Sequence, residues 1–148
     1  MTAGRPLRSV MVIEDSETMR GYIRMCLQAF FPGVQSLEVP SGFDALRLLP
    51  GLAVDLIITD INMPDMNGLE LIRFLKTHPT YRQIPIVIVS TEGAAEDQRR
   101  GMALGADAYV VKPFRPDHLA QVVRTIWLRY EQALPSMPQE EPAWPPES

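Results

Sequence analysis

Five side chains able to do chemistry stand at the ends of four short apolar runs. Glu14 and Asp15 follow residues 10–13, Asp60 follows 54–59, Ser90 follows 84–89, and Lys112 follows 108–111. In an open parallel sheet, ligands bind outside the carboxyl ends of the strands, near the point where strand order reverses. If these runs are strands of one such sheet, the acids, the hydroxyl and the lysine converge on one edge. Adjacent carboxylates repel one another, and some are driven to take protons unless a cation joins them. Magnesium meets that need, because it takes a few oxygen ligands and keeps waters for the rest. Lysine is scarce here: Lys76 and Lys112 are the only two, against twelve arginines. A compact ammonium suits a phosphate oxygen, and Ser90 can donate a hydrogen bond to another. The set reads as a phosphoryl-transfer site with a carboxylate nucleophile.

The elements that must position these groups follow from the pattern around them. A fifth run, residues 36–39, alternates more than the others and has the polar content of an edge strand. The other four are nearly continuous in apolar character, as strands buried on both faces should be. Between the runs lie helix-length intervals. Residues 16–30 place Met19, Tyr22, Ile23, Cys26, Leu27 and Phe30 at three- and four-residue spacing, with Ser16 a cap. Residues 42–49 and 67–77 continue the pattern; 94–104 are weaker, with Gly105 a stop. The last helix opens near Pro116 and runs to Tyr130. Five strands alternating with five helices predict a doubly wound α/β domain, a parallel sheet with helices on both faces.

Composition bounds the rest. The 148 residues fit one domain with a single core. No apolar run approaches the roughly 18 residues of a membrane span, so no membrane is expected. One cysteine, Cys26, allows no internal disulfide and fits a reducing, cytoplasmic compartment. The net charge of −4 comes from residues 131–148, which hold Glu131, Glu140, Glu141 and Glu147 and no lysine or arginine. The remaining charges balance, so no basic footprint for nucleic acid is present. Residues 132–148 contain five prolines and only acidic charge, the texture of a disordered tail. Residues 1–7 are an N-terminal extension and 8–131 the domain. Within the tail, Pro135 to Pro138 and Pro142 to Pro145 have a loose Pro-x-x-Pro spacing.

Four fragments together carry a resemblance: VIEDS with the following ETMR (12–20), DINMPDMNG (60–68), VSTE (89–92) and GADAYVVKPF (105–114). In order and at strand ends, they resemble response-regulator receiver domains, especially the stand-alone chemotaxis type, over residues 8–130. The resemblance implies a sheet of order 2-1-3-4-5 and magnesium held by Glu14, Asp15, Asp60 and the backbone carbonyl of Asn62. It makes Asp60 the phospho-acceptor, Ser90 the hydroxyl that senses phosphate, Lys112 its counter-charge and Tyr109 the aromatic switch. Lys112-Pro113 matches a peptide bond that is usually cis in the family. Pro64 and Gly68 are structural, Gly68 opening the third helix. Asn62 and Glu92, two past the acceptor and the hydroxyl, flank the path of a hydrolytic water, and Thr91 crowds it. Glu14 stands where the family more often has Asp, and Thr91 where it often has Ala or Gly.

The implied function is a switch of a two-component or phosphorelay pathway, catalysing only its own phosphorylation and dephosphorylation. A sensor histidine kinase or phosphotransfer protein supplies the phosphoryl group. The output is binding of another protein through the face of the fourth helix, fifth strand and fifth helix, as a monomer or weak dimer, with no output domain of its own. A haloacid-dehalogenase-like phosphatase uses the same ingredients, but its D-x-D fails here because Ile61-Asn62 follows Asp60. A phosphorylation-independent module of the same fold is opposed by intact Asp60, Ser90 and Lys112. Of the remaining residues, Cys26 reads as core, and His78 and His118 as solvent-facing. Trp127, off the narrowest stripe of its helix, is either a partner contact or part of a wider stripe.

Overall fold

The computed structural model describes residues 5–91 and 95–133. Ten elements alternate along the chain: β1 (Ser9–Ile13), α1 (Glu17–Phe30), β2 (Gln35–Val39), α2 (Gly42–Leu48), β3 (Leu56–Asp60), α3 (Gly68–Thr77), β4 (Ile86–Thr91), α4 (Ala95–Leu104), β5 (Ala108–Lys112) and α5 (Pro116–Ala133). The strands form one parallel sheet of order β2-β1-β3-β4-β5, the expected doubly wound arrangement.

Alternation along each strand divides the core between the two faces of the sheet. Val10, Val12, Ile58, Val87, Val89 and Val110 pack under α1 and α5, against Ile23, Leu27, Leu119 and Val123. Met11, Ile13, Ile57, Ile86 and Ile88 pack under α2 and α3, against Ala45, Leu71, Ile72 and Leu75. Every residue of β1 and β3 is buried, which is why those runs lack alternation. Each fully buried Leu or Ile contributes about 1.5–3 kcal/mol, so the centre of the sheet is the firmest platform available for a site. β2, with exposed Gln35 and half-buried Ser36 to Glu38, is an edge.

Helix starts follow their caps. The Ser16 hydroxyl accepts from the Met19 N–H, the Ser41 hydroxyl from Asp44 N–H, and Asn67 Oδ1 from Leu69 N–H. Gly105 ends α4 with φ +118°, a conformation other residues rarely adopt. Cys26 is buried, as expected.

The structure corrects the sequence reading at several points. β3 and β4 begin two residues later than the apolar runs. Asp55 stands outside β3 and anchors the start of β1 instead, its Oδ2 accepting from Arg8 N–H at 2.8 Å and Ser9 N–H at 3.1 Å. Residues 5–7 of the expected extension pack on the body, with Leu7 buried in the core. Trp127 is buried too: its Nε1 donates to the Arg5 carbonyl at 2.9 Å, its ring stacks on Tyr130, and the Arg5 guanidinium lies over it. It belongs to a wide stripe and is no free partner contact. His78 is half-buried, not solvent-facing; its ring packs on Phe74 and Tyr81 and Nδ1 accepts from Thr80 N–H. His118 is exposed. Glu92 and the tail with its proline spacings lie outside the described residues.

Candidate functional site

β1 and β3 are neighbours in the sheet, β5 is separated from β3 by β4, and all four end on the same edge. Their terminal residues therefore meet although they are up to 98 positions apart in the chain. Lys112 Nζ, at the end of β5, donates to Glu14 Oε1 at 2.9 Å and to Asp60 Oδ2 at 3.3 Å. One carboxylate oxygen from each of Glu14, Asp15 and Asp60 lies within 4.8 Å of the others. Glu14 and Asp60 are buried and Asp15 is exposed.

Backbone donors fix the two buried acids. Glu14 Oε2 accepts from Ser16 N–H at 3.0 Å, and the Glu14 carbonyl accepts from Arg20 Nη1 at 2.7 Å. Asp60 Oδ1 accepts from Ile61 N–H at 2.7 Å and, more weakly, from Asn62 N–H at 3.4 Å. Oδ2 of Asp60 is thereby left on the side of Lys112 and the other acids. The loop after Asp60 is closed tightly, because Gly68 N–H donates back to the Ile61 carbonyl at 2.7 Å. Farther along the loop, Asp65 Oδ2 accepts from Phe43 N–H at 3.0 Å and ties it to the start of α2. Lys112-Pro113 is cis, as expected.

Electrostatically, the site holds three carboxylates and one ammonium. Burial pushes the Glu14 carboxyl above its ordinary range, and the charge of Asp60 adds to this. The hydrogen bonds from Lys112 and Ser16 offset only part of it. Burial alone would lower the Lys112 ammonium, but its bond to Glu14 and the charge of Asp60 outweigh that and raise it. Lys112 is thus firmly cationic. Asp15 has no hydrogen-bond or ion-pair partner among the described residues. A hard dication fits this donor set: it would neutralise the excess negative charge and give Asp15 a partner. Beside the acids opens a cleft of about 480 Å³ lined by Asp15, Asn62, Met63, Pro64 and Asp65 among others.

Of the remaining expected residues, Ser90 is fully buried at the end of β4, and its Oγ accepts from Gln98 Nε2 at 2.8 Å. It makes no hydrogen bond to Glu14, Asp60 or Lys112. Tyr109 is 44 % exposed on β5, so its side chain is turned outward. Thr91 and Asn62 are exposed. Arg20, Asp65 and Gln98 were missed from sequence. Arg20 lies inside the ETMR fragment, but nothing there marks it as a partner of the Glu14 backbone.

Comparison with known proteins agrees with this geometry. Residues 10–124 match the family model of the response regulator receiver domain. The chain is 34% identical to the chemotaxis protein CheY1 of Helicobacter pylori, over 79% of this chain and 94% of that protein. It is 36% identical to a CheY homologue of Campylobacter jejuni, over 79% and 90%. Among solved structures, the chemotaxis response regulator CheY4 of Vibrio cholerae superposes with a TM-score of 0.73 at 30% identity, covering 81% of this chain and 98% of that one. A putative response regulator from Chloroflexus aurantiacus gives 0.78 at 26% identity, covering 84% and 100%. With its acidic edge, its parallel five-stranded sheet and these matches, the chain belongs to the response regulator receiver family, as a CheY-like domain of two-component signalling.

Proposed function

We propose that the protein is a phosphorylation-activated switch in which Asp60 accepts the phosphoryl group. The observation that carries this reading is the placement of Lys112 Nζ against both Glu14 and Asp60, with Asp15 alongside. The group delivered is the phosphoryl of a phosphohistidine on a sensor kinase or phosphotransfer protein. An Asp60 carboxylate oxygen attacks the phosphorus, the P–N bond breaks, and its electron pair returns to the imidazole nitrogen. The product is an acyl phosphate. Lys112 neutralises charge on the phosphoryl oxygens, and the N–H groups of Ile61 and Asn62 hold the acceptor carboxylate in line. Glu14, Asp15, Asp60 and the Asn62 carbonyl would hold magnesium, which when bound would supply a further counter-charge for the phosphoryl oxygens.

Ser90 then bonds the new phosphoryl group, and Tyr109 turns inward from its exposed position. The face of α4, β5 and α5 is thereby re-posed for a downstream protein. Hydrolysis restores the resting state by attack of water on phosphorus. Asn62 and Glu92, two residues able to bond that water, favour a short-lived phosphorylated form, while Thr91 adds bulk against it. The single buried Cys26 accords with a reducing, cytoplasmic setting. The reading is tested by incubating the protein with magnesium and a small phosphodonor. The phosphate taken up should be released by hydroxylamine, as acyl phosphates are, and should map to the peptide holding Asp60. Phosphate stable to hydroxylamine, or located elsewhere, would refute it.

A further inference from the structure

α4 has a thin attachment to the sheet. Its buried residues are Gln98 and Gly101 only, three positions apart and so on one face of the helix. Beneath them lie Ile88 and Ser90, two positions apart on β4 and so on one face of the sheet. At Gly101 the helix rests directly on the sheet: a Cβ there would collide with Ile88 Cδ1. At Gln98 the attachment, among the described residues, is a hydrogen bond from its amide to the Ser90 hydroxyl at 2.8 Å. The exposed faces carry Glu96, Arg99 and Arg100, paired among themselves. Besides these two contacts, half-buried Leu104 of α4 packs against the core, where α3 has Leu71, Ile72 and Leu75 fully buried in it.

We propose that Gln98 is a latch that holds the Ser90 hydroxyl on α4 in the unphosphorylated protein and lets go of it when Asp60 is phosphorylated. The proposal rests on Asp60 being the phospho-acceptor. Ser90 Oγ makes no hydrogen bond to the acids or to Lys112; in this proposal it rotates to bond a phosphoryl group on Asp60. A serine turning between staggered positions carries its oxygen roughly 2 Å, enough to break a bond of this length. Gln98 then loses the one hydrogen-bond partner its buried amide has among the described residues, which is costly. α4 must shift to give that amide a new partner or water. The exchange thus converts a rotation of one hydroxyl into a force on the helix that bears part of the output face, and Gln98 is the positioning residue between them.

The test uses beryllium fluoride with magnesium as a phosphoryl mimic, titrated calorimetrically into the full chain. Gln98→Met removes the donor at similar volume, so the mimic no longer has to break the latch. It should bind about three- to tenfold more tightly to this variant than to the wild type, the size of one net hydrogen bond. In a Ser90→Ala background, adding Gln98→Met should change nothing, since the partner is already gone. Magnesium affinity without the mimic should be unaltered, which a merely structural disturbance of the site would not leave intact. Gln98→Leu is the second variant, and thermal melts show whether each folds.

Equal or weaker binding of the mimic in both variants overturns the latch. So does the same gain in the Ser90→Ala background, an altered magnesium affinity, or failure of both variants to fold. If the wild type itself does not take the mimic, the acceptor reading of Asp60 has failed and the latch falls with it.

Discussion

Gly68 lies so close to Asp60 that a Cβ on the glycine would overlap the Asp60 carbonyl oxygen and stand 2.7 Å from Ile61 Cα. The atoms in the way are backbone, at the end of a buried strand, and cannot swing aside. Gly68 is therefore the residue that lets α3 start directly under the acceptor, as its place in the DINMPDMNG fragment suggested.

Gly68→Ala should accordingly destabilise the domain by about 1–3 kcal/mol, the usual cost of overpacking. It should also slow phosphorylation, because relief of the clash moves Asp60 or Ile61. Urea unfolding and phosphodonor kinetics measure the two effects. A variant with wild-type stability would mean that the loop has room the geometry denies.

Asp65 gives a prediction with a defined pH window. Burial by itself would raise its carboxyl, but hydrogen bonds from Phe43 N–H, Ser41 and Gly42 outweigh burial and hold it below the usual range. A carboxylate lowered in the folded state contributes stability that is present above its unfolded value, about 3.9, and is lost as pH falls through the folded value. Wild type should therefore be more stable than Asp65→Ala near neutrality, and the gap should narrow only below about pH 3.9. Urea melts of both proteins across that range supply the measurement; a gap independent of pH would mean the hydrogen bonds do not depend on the charge. Because Asp65 is exposed, the gap should be small.

Asp15 separates metal binding from folding. It is exposed and without a protein partner among the described residues, so Asp15→Ala should leave the melting temperature of the metal-free protein unchanged. If Asp15 helps to hold magnesium, the same substitution should weaken magnesium binding by at least about tenfold. Calorimetric titration is the suitable measurement, since Trp127 is packed under Arg5 and away from the acids. Equal affinities would remove Asp15 from the ligand set.

Much of this arrangement was legible in the sequence because two strong signals coincide. Strands buried on both faces read as continuous apolar runs, and a parallel sheet brings their carboxyl ends together. Glu14, Asp60 and Lys112 stand out in that way without any distance being known. What escapes such a reading depends on contacts between distant segments. Trp127 is buried by Arg5, 122 positions away, and no periodicity within α5 can register that. Asp55 looks like part of a strand until Arg8 and Ser9 claim its carboxylate. Gln98 sits among charged residues in the least apolar helix, and only its bond to Ser90 explains why a polar side chain is buried there. Strand starts are misjudged for a local reason as well: Pro85 has no N–H to give to a ladder, so β4 begins after it.

The central claim is that the carboxylate of Asp60 is the group that accepts phosphate. Asp60→Asn keeps the shape of the side chain and removes the nucleophilic oxygen. Magnesium and acetyl phosphate are added to wild type and variant, both shown to be folded by their melting curves, and intact masses are recorded over time. The wild type should gain the mass of one phosphoryl group and the variant none. Equal uptake by Asp60→Asn would contradict the claim.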